Sequence, residues 1–228
     1  MAMIVEKIDT GRLKYLIRYP DGYKKGDRCP VIFLLHGAGS RGDSLDNLLK
    51  NVYFPKTEKH KEFPFVTVAP LCGSDKVWYD YSTELKELLH SVVTADYADP
   101  ARIYVMGPSM GGYGTWYIAM CCAELIAAIV PICGGGMYWN AYRLKNVPVW
   151  AHHGELDDTV LPRESVIMVE RVNAAGGNAK LTLYPDIAHP SWVPVYENYE
   201  VFEWLLSHRN DNSGEVVSSN YDDIKKYG

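Results

Sequence analysis

The segment YVMGPSMGGYG, residues 104–114, places Ser109 between Gly107 and Gly111. A G-x-S-x-G pattern is weak alone, because glycine and serine are common residues. Its surroundings give it meaning. The apolar run RIYVMG (102–107) reads as a strand and the residues from about Met110 as a helix. Ser109 would then stand on a sharp strand-to-helix turn, its hydroxyl lifted above the carboxyl end of a sheet. A serine hydroxyl is a poor nucleophile at neutral pH, so it needs a base within hydrogen-bond reach and an acid to hold that base in one tautomer.

The chain has seven histidines. His36 and His152 end predicted strands, His60 and His90 lie upstream of the serine, and His208 falls in the last predicted helix. His189, in YPDIAHPSW, follows the last predicted strand by a short loop, from which a base can reach over the sheet edge to Ser109. The acid is sought in HHGELDDTVLP, just after the strand VPVWAH. Asp157 is preferred there over Asp158, and Asp186 reads as a turn residue. The order is then serine, acid, histidine. An oxyanion also needs backbone donors: the amide of Met110, directly after the serine, and one from LLHGAGSRG, with Ala38 the expected donor and Gly37 the alternative.

Two other chemistries are weighed and set aside. His152 and His153 with Asp157 and Asp158 carry ligand atoms, but adjacent histidines on a strand point to opposite faces and cannot share an ion. Gly134, Gly135 and Gly136 are not followed by G-K-[ST] and show no dinucleotide-binding spacing, so they read as a loop at a strand end. No metal and no organic cofactor is expected.

The elements that must position these residues are near-continuous apolar runs: VIFLLH (31–36), FVTVAP (65–70), RIYVMG (102–107), AIVPIC (128–133), VPVWAH (147–152) and KLTLYP (180–185). Such runs mark strands covered on both faces. MIVEKI and LKYLIRYP, separated by DTGR, open the chain as an antiparallel pair. Helical patterns lie between the strands: Ser82 to Ala98, a segment opened by Pro162 and stopped by Gly176 and Gly177, and a last helix from about Tyr196 to His208. The expected fold class is α/β, a mostly parallel eight-stranded sheet with helices on both faces. Residues 1–210 are expected to form one domain and 211–228 a polar C-terminal tail.

Composition excludes several partners. The chain has 228 residues, 47% hydrophobic, and a net charge of -5 with scattered lysines and arginines, which leaves no footprint for nucleic acid or a membrane surface. The five cysteines show no metal-ligand spacing and are expected as reduced thiols. The N-terminal residues lack the pattern of a secretory signal, so the cytoplasm is the expected compartment.

HGAGSRG, GPSMGGYGTW, CGGG, VPVWAHHGELDDTV and AHPSW, in this order, resemble the phospholipase/carboxylesterase-like α/β-hydrolases labelled predicted peptidases, relatives of microbial feruloyl and acetyl esterases. The resemblance runs from about Tyr15 to His208. It implies the α/β-hydrolase fold, Ser109 as nucleophile, Asp157 as acid and His189 as base. It further implies Trp192 beside the histidine and Trp78 at the mouth of the site. Ser40 and Pro190 depart from the family's usual H-G-A-G-E-R-G and H-D-S-W. Tyr113 and Trp139 join Trp78 and Trp192 as expected substrate contacts, because their segments end strands on the same side. The expectation is a serine carboxylesterase acting on short acyl, phenolic or carbohydrate-linked esters. The alternatives are a serine peptidase or acyltransferase of the same fold, or a non-catalytic binding protein.

Overall fold

The computed structural model describes residues 4–211, so all but the first residue of the expected tail lies outside the described residues. Eight strands form one sheet in the order β1-β2-β4-β3-β5-β6-β7-β8. They are β1 (Val5–Asp9), β2 (Lys14–Arg18), β3 (Cys29–Leu34), β4 (Val66–Leu71), β5 (Ala98–Pro108), β6 (Ala128–Ile132), β7 (Val149–Gly154) and β8 (Ala179–Tyr184). β1 and β2 form the expected antiparallel pair and β2 joins β4 antiparallel; every pairing from β4 to β8 is parallel.

The central strands are apolar without interruption because both faces are covered. Val31 and Phe33 of β3 and Ile103 and Val105 of β5 pack into one core layer, with helices α3 (Ser82–Val93), α4 (Met110–Cys121) and α5 (Arg163–Ala174). Ile32, Leu34, Tyr104 and Met106, the alternate residues, pack into the other. That second layer is closed by α1 (Leu45–Leu49), α2 (Tyr53–Thr57), α6 (Trp192–Glu197) and α7 (Tyr199–Leu206). Period-two side-chain alternation thus feeds two cores from one strand.

Two sequence expectations are corrected, and one element is new. The helix from Ser82 stops at Val93 instead of running to Ala98, because Ala98 already begins β5. The expected last helix is two: Asn198 breaks the run with φ -88 and ψ 107, and its side chain accepts from the Glu200 N–H to cap α7. Asparagine competes with helix continuation in this way and favours a cap. The stretch after Gly136 contains a 3₁₀ turn, Tyr138–Leu144, with no apolar period to reveal it. All five cysteines are free thiols. No helix among the described residues is long and apolar enough to cross a membrane.

Candidate active site

Ser109 joins β5 to α4 with φ 55 and ψ -120, a left-handed conformation that a residue with a Cβ adopts only when its surroundings enforce it. The Ser109 N–H donates to Ile132 O at 2.9 Å, and the Tyr113 N–H donates to Ser109 O at 3.0 Å, fixing the turn from both sides. Glycines make this possible by letting backbones touch. A Cβ on Gly107 would lie 2.1 Å from Leu35 O, and one on Gly111 would lie 1.8 Å from the same oxygen. A glycine inside a helix costs roughly 1 kcal/mol against alanine, a small cost beside such a collision.

The hydroxyl of Ser109 donates to His189 Nε2 at 2.9 Å, and His189 Nδ1–H donates to Asp157 Oδ2 at 2.8 Å. The three residues come from the ends of β5, β7 and β8, which the parallel order sets at one end of the sheet. Asp157 is buried, at 3% exposure. Burial works to raise its carboxyl, but the hydrogen bond from His189 and the N–H groups of Val160 and Thr159 outweigh burial and hold it below the ordinary carboxylate range. The two amides donate to Oδ1 at 2.9 and 3.0 Å. Asp158 is exposed and takes only a weak contact from the Thr159 hydroxyl at 3.4 Å, so the structure brings Asp157 and not Asp158 to His189.

The loop after β3 lies directly against this turn. A Cβ on Gly37 would stand 3.3 Å from Pro108 O and 3.7 Å from Ser109 Cβ. Ala38 opens the 3₁₀ turn Ala38–Ser40 and Met110 opens α4, so neither amide has a partner within its own helix. His36 anchors the loop. Its Nε2 accepts from the Cys72 N–H at 3.0 Å, which leaves Nδ1–H to donate to Gly37 O at 2.8 Å. Burial pushes the His36 imidazole down to about 4, against the Gly37 hydrogen bond that favours the charged form, so the ring is neutral.

Trp78 is a correction. It is fully buried at 0% exposure, its indole N–H donates to His36 O at 2.9 Å, and its ring stands edge-on to His36. It supports the loop from beneath and does not face the mouth of the site. Trp139 is solvent-facing. It is 62% exposed and packs on Tyr138, whose ring carries the Arg171 guanidinium at 5.7 Å. Gly135 and Gly136 lead the chain past Glu164 and then Met168 toward this aromatic pair. Trp192 stands edge-on to His189, with centroids 5.3 Å apart, and Tyr113 sits half-buried one turn beyond Ser109.

Sequence reasoning missed His153. The ring is buried, its Nε2 faces Val160 O at 2.8 Å and Asp157 Oδ2 at 3.2 Å, and its Nδ1 lies 2.8 Å from Ser165 Oγ. Burial lowers its pKa against the Val160 and Asp157 hydrogen bonds, and Nε2 carries a proton because it faces two acceptors. His152 points the other way, to the Tyr184 hydroxyl at 3.0 Å, so the pair occupies opposite faces. Cys133, Asp157 and His189 offer ligand atoms within 4.8 Å of one another. The thiol is pushed up to about 12 by burial, and the other two residues are spent on each other, so the cluster is poorly suited to hold an ion.

Residues 70–199, more than half of the chain and spanning Ser109, Asp157 and His189, match the Dienelactone hydrolase family. The chain belongs to the dienelactone hydrolase family. This family membership and the eight-stranded sheet make it an α/β-hydrolase. Among solved structures this dienelactone hydrolase relative is similar to a thermostable esterase, with 27% identity, a TM-score of 0.76, and 91% of this chain and 63% of that one covered. It shares its fold with a feruloyl esterase module from Clostridium thermocellum complexed with sinapinate, at 16% identity and TM-score 0.66, covering 92% and 88% of the chains. The same holds for dipeptidyl peptidase 4 of Porphyromonas gingivalis, at 16% identity and TM-score 0.67, covering 90% and 35%. A curated relative is endo-1,4-beta-xylanase Y of Acetivibrio thermocellus, 23% identical over 139 residues, which are 54% of this chain and 13% of the xylanase.

Proposed function

We propose that the chain is a serine carboxylesterase working through an acyl-enzyme on Ser109. The observation that carries this reading is the hydrogen-bonded line from Ser109 Oγ through His189 to Asp157, at 2.9 and 2.8 Å. His189 Nε2 takes the hydroxyl proton as Oγ attacks the ester carbonyl carbon. Asp157 stabilises the imidazolium that results. The oxyanion is held by the amides of Ala38 and Met110. His189 then gives its proton to the departing alkoxide, and in the second half-reaction it activates water to release the acid. No metal or organic cofactor takes part in these steps.

Short acyl, phenolic or carbohydrate-linked esters are the proposed substrates. The names of the esterase, the feruloyl esterase module and the xylanase support this class, and the edge-on Trp192 and half-buried Tyr113 offer aromatic surface next to His189. The net charge of -5 fits neither a nucleic acid nor an anionic membrane as partner.

The test is steady-state hydrolysis of p-nitrophenyl acyl esters, methyl ferulate and a chromogenic peptide by wild type, Ser109→Ala and His189→Ala. Ester turnover is expected, with a loss on the order of 10⁴-fold or more in either variant, because such residues act as a unit. Ester turnover that survives Ser109→Ala overturns the mechanism, and a wild type that cleaves the peptide but no ester overturns the esterase assignment.

A further inference from the structure

Arg18 is the last residue of β2, paired in register with Thr67 near the start of β4, so it lies at the opposite end of the sheet from Ser109. It is only 6% exposed. No carboxylate among the described residues lies within ion-pair distance of it. A guanidinium has five N–H donors, and this one spends Nη1 on the Thr57 hydroxyl at 2.9 Å while its carbon sits 5.5 Å from the centroid of the Phe63 ring. None of its nitrogens is sealed away as a buried orphan, and the residue lines a half-open cavity of about 580 Å³.

Burying an arginine without a counter-charge is costly, and its planar fork matches a carboxylate in two parallel hydrogen bonds. The cavity is far larger than one small ion needs, and Pro20, Phe63 and Pro64 supply apolar wall within a lining that is polar for the larger part. Asp21, Glu58 and Glu62 stand exposed around the opening, with Lys61 among them. This largely acidic rim repels a second negative charge on the outer part of a ligand. The charge pattern therefore selects one negative group at the floor attached to an uncharged body.

We infer that the Arg18 cavity is a second binding site, remote from Ser109, for a small organic monocarboxylate. Its carboxylate pairs with the free edge of Arg18, and its apolar body lies against Phe63, Pro64 and Pro20. The inference does not depend on the esterase reading, since it uses none of the residues around Ser109.

The test is a soak of wild-type crystals with 4-bromobenzoate, read by the anomalous signal of bromine, joined to calorimetry with benzoate and its neutral isostere benzamide. The expected result is a bromine peak in the cavity with the carboxylate on Arg18. Benzamide should bind at least about tenfold more weakly than benzoate, and benzoate binding should weaken at least about tenfold in Arg18→Met, while Ser109→Ala leaves it unchanged. Bromine found only beside Ser109 or nowhere, Glu62 swung onto Arg18 in the soaked crystal, or equal binding of benzoate and benzamide would overturn the site. The soak and the benzamide comparison use wild type, so they decide the matter even where Arg18→Met fails to fold.

Discussion

His153 Nε2 lies 3.2 Å from Asp157 Oδ2, the same oxygen that accepts from His189 at 2.8 Å. With Val160 and Thr159 on Oδ1, the carboxylate is held at both oxygens and cannot rotate away from His189. In the proposed mechanism His153 would therefore act through Asp157 as a positioning residue. In His153→Phe, kcat should fall about tenfold to a hundredfold with KM little changed, the size seen when supporting partners of site residues are lost. Asp157→Asn should lose about 10⁴-fold, because the histidine then adopts the wrong tautomer. Parallel kinetics of the two variants check this; an unchanged kcat in His153→Phe would remove its positioning role.

Gly154 ends β7 beneath the loop that carries His189. A Cβ there would lie 2.2 Å from both Ile187 O and Ala188 O, backbone atoms that can yield only by moving the loop. Gly154→Ala should cost about 1–3 kcal/mol in stability, the usual cost of overpacking. Its effect on turnover should be larger, at about a hundredfold, because a displacement of about 1 Å separates His189 from Ser109. Thermal melts and kcat measured on one preparation check the pair, and a variant with full activity would show that the loop absorbs the methyl group elsewhere.

Chain order and strand ends already pointed to Ser109, Asp157 and His189, and the structure brings them together. They were legible because a parallel sheet sends every strand's carboxyl end to one side, so position along the chain encodes proximity. Aromatic residues carry no such code. Trp78 and Trp139 both follow strands on the correct side, yet one is buried under the Gly37 loop and the other stands exposed against Tyr138. His153 was hidden for a related reason: of two adjacent histidines, only the face each meets tells which one touches the acid, and that depends on α5 through Ser165.

The two tryptophans give a contrasting pair. Trp78→Phe keeps the ring packing but deletes the N–H to His36 O, leaving a buried carbonyl with one donor fewer, which should cost about 1–3 kcal/mol. The loosened loop should lower kcat more than it raises KM, since Ala38 would be less well placed for the oxyanion. Trp139→Ala should leave kcat and KM for small esters within about twofold, as exposed substitutions away from such features have small effects. A Trp139→Ala variant that loses ester turnover would make this residue a substrate contact.

Buried histidines contribute to the acid sensitivity of the fold, and His36 and His152 are the most strongly shifted of them. Burial holds His36 at about 4 and His152 at about 3, the latter with the Lys180 charge acting in the same direction. Both lie below the ordinary value near 6.5, so the folded state favours the neutral rings. As pH falls below about 6.5 the unfolded chain takes up protons on these histidines before the folded chain does, and stability is lost progressively until each folded-state pKa is passed. At roughly 1.4 kcal/mol per pKa unit, His36 alone accounts for about 3 kcal/mol between pH 6.5 and 4. The Asp157 contribution is separate: its carboxyl is depressed, so its share is present above the unfolded carboxylate value near 4 and is lost below it. Urea midpoints at pH 7, 5.5 and 4.5 should therefore fall steadily before the carboxylates protonate. His152→Phe removes a ring whose Nε2 has no partner and leaves the Tyr184 hydroxyl, only half-buried, to water. The slope between pH 6.5 and 4 should flatten in this variant; an identical slope in wild type and variant would mean that His152 takes up its proton without unfolding the chain.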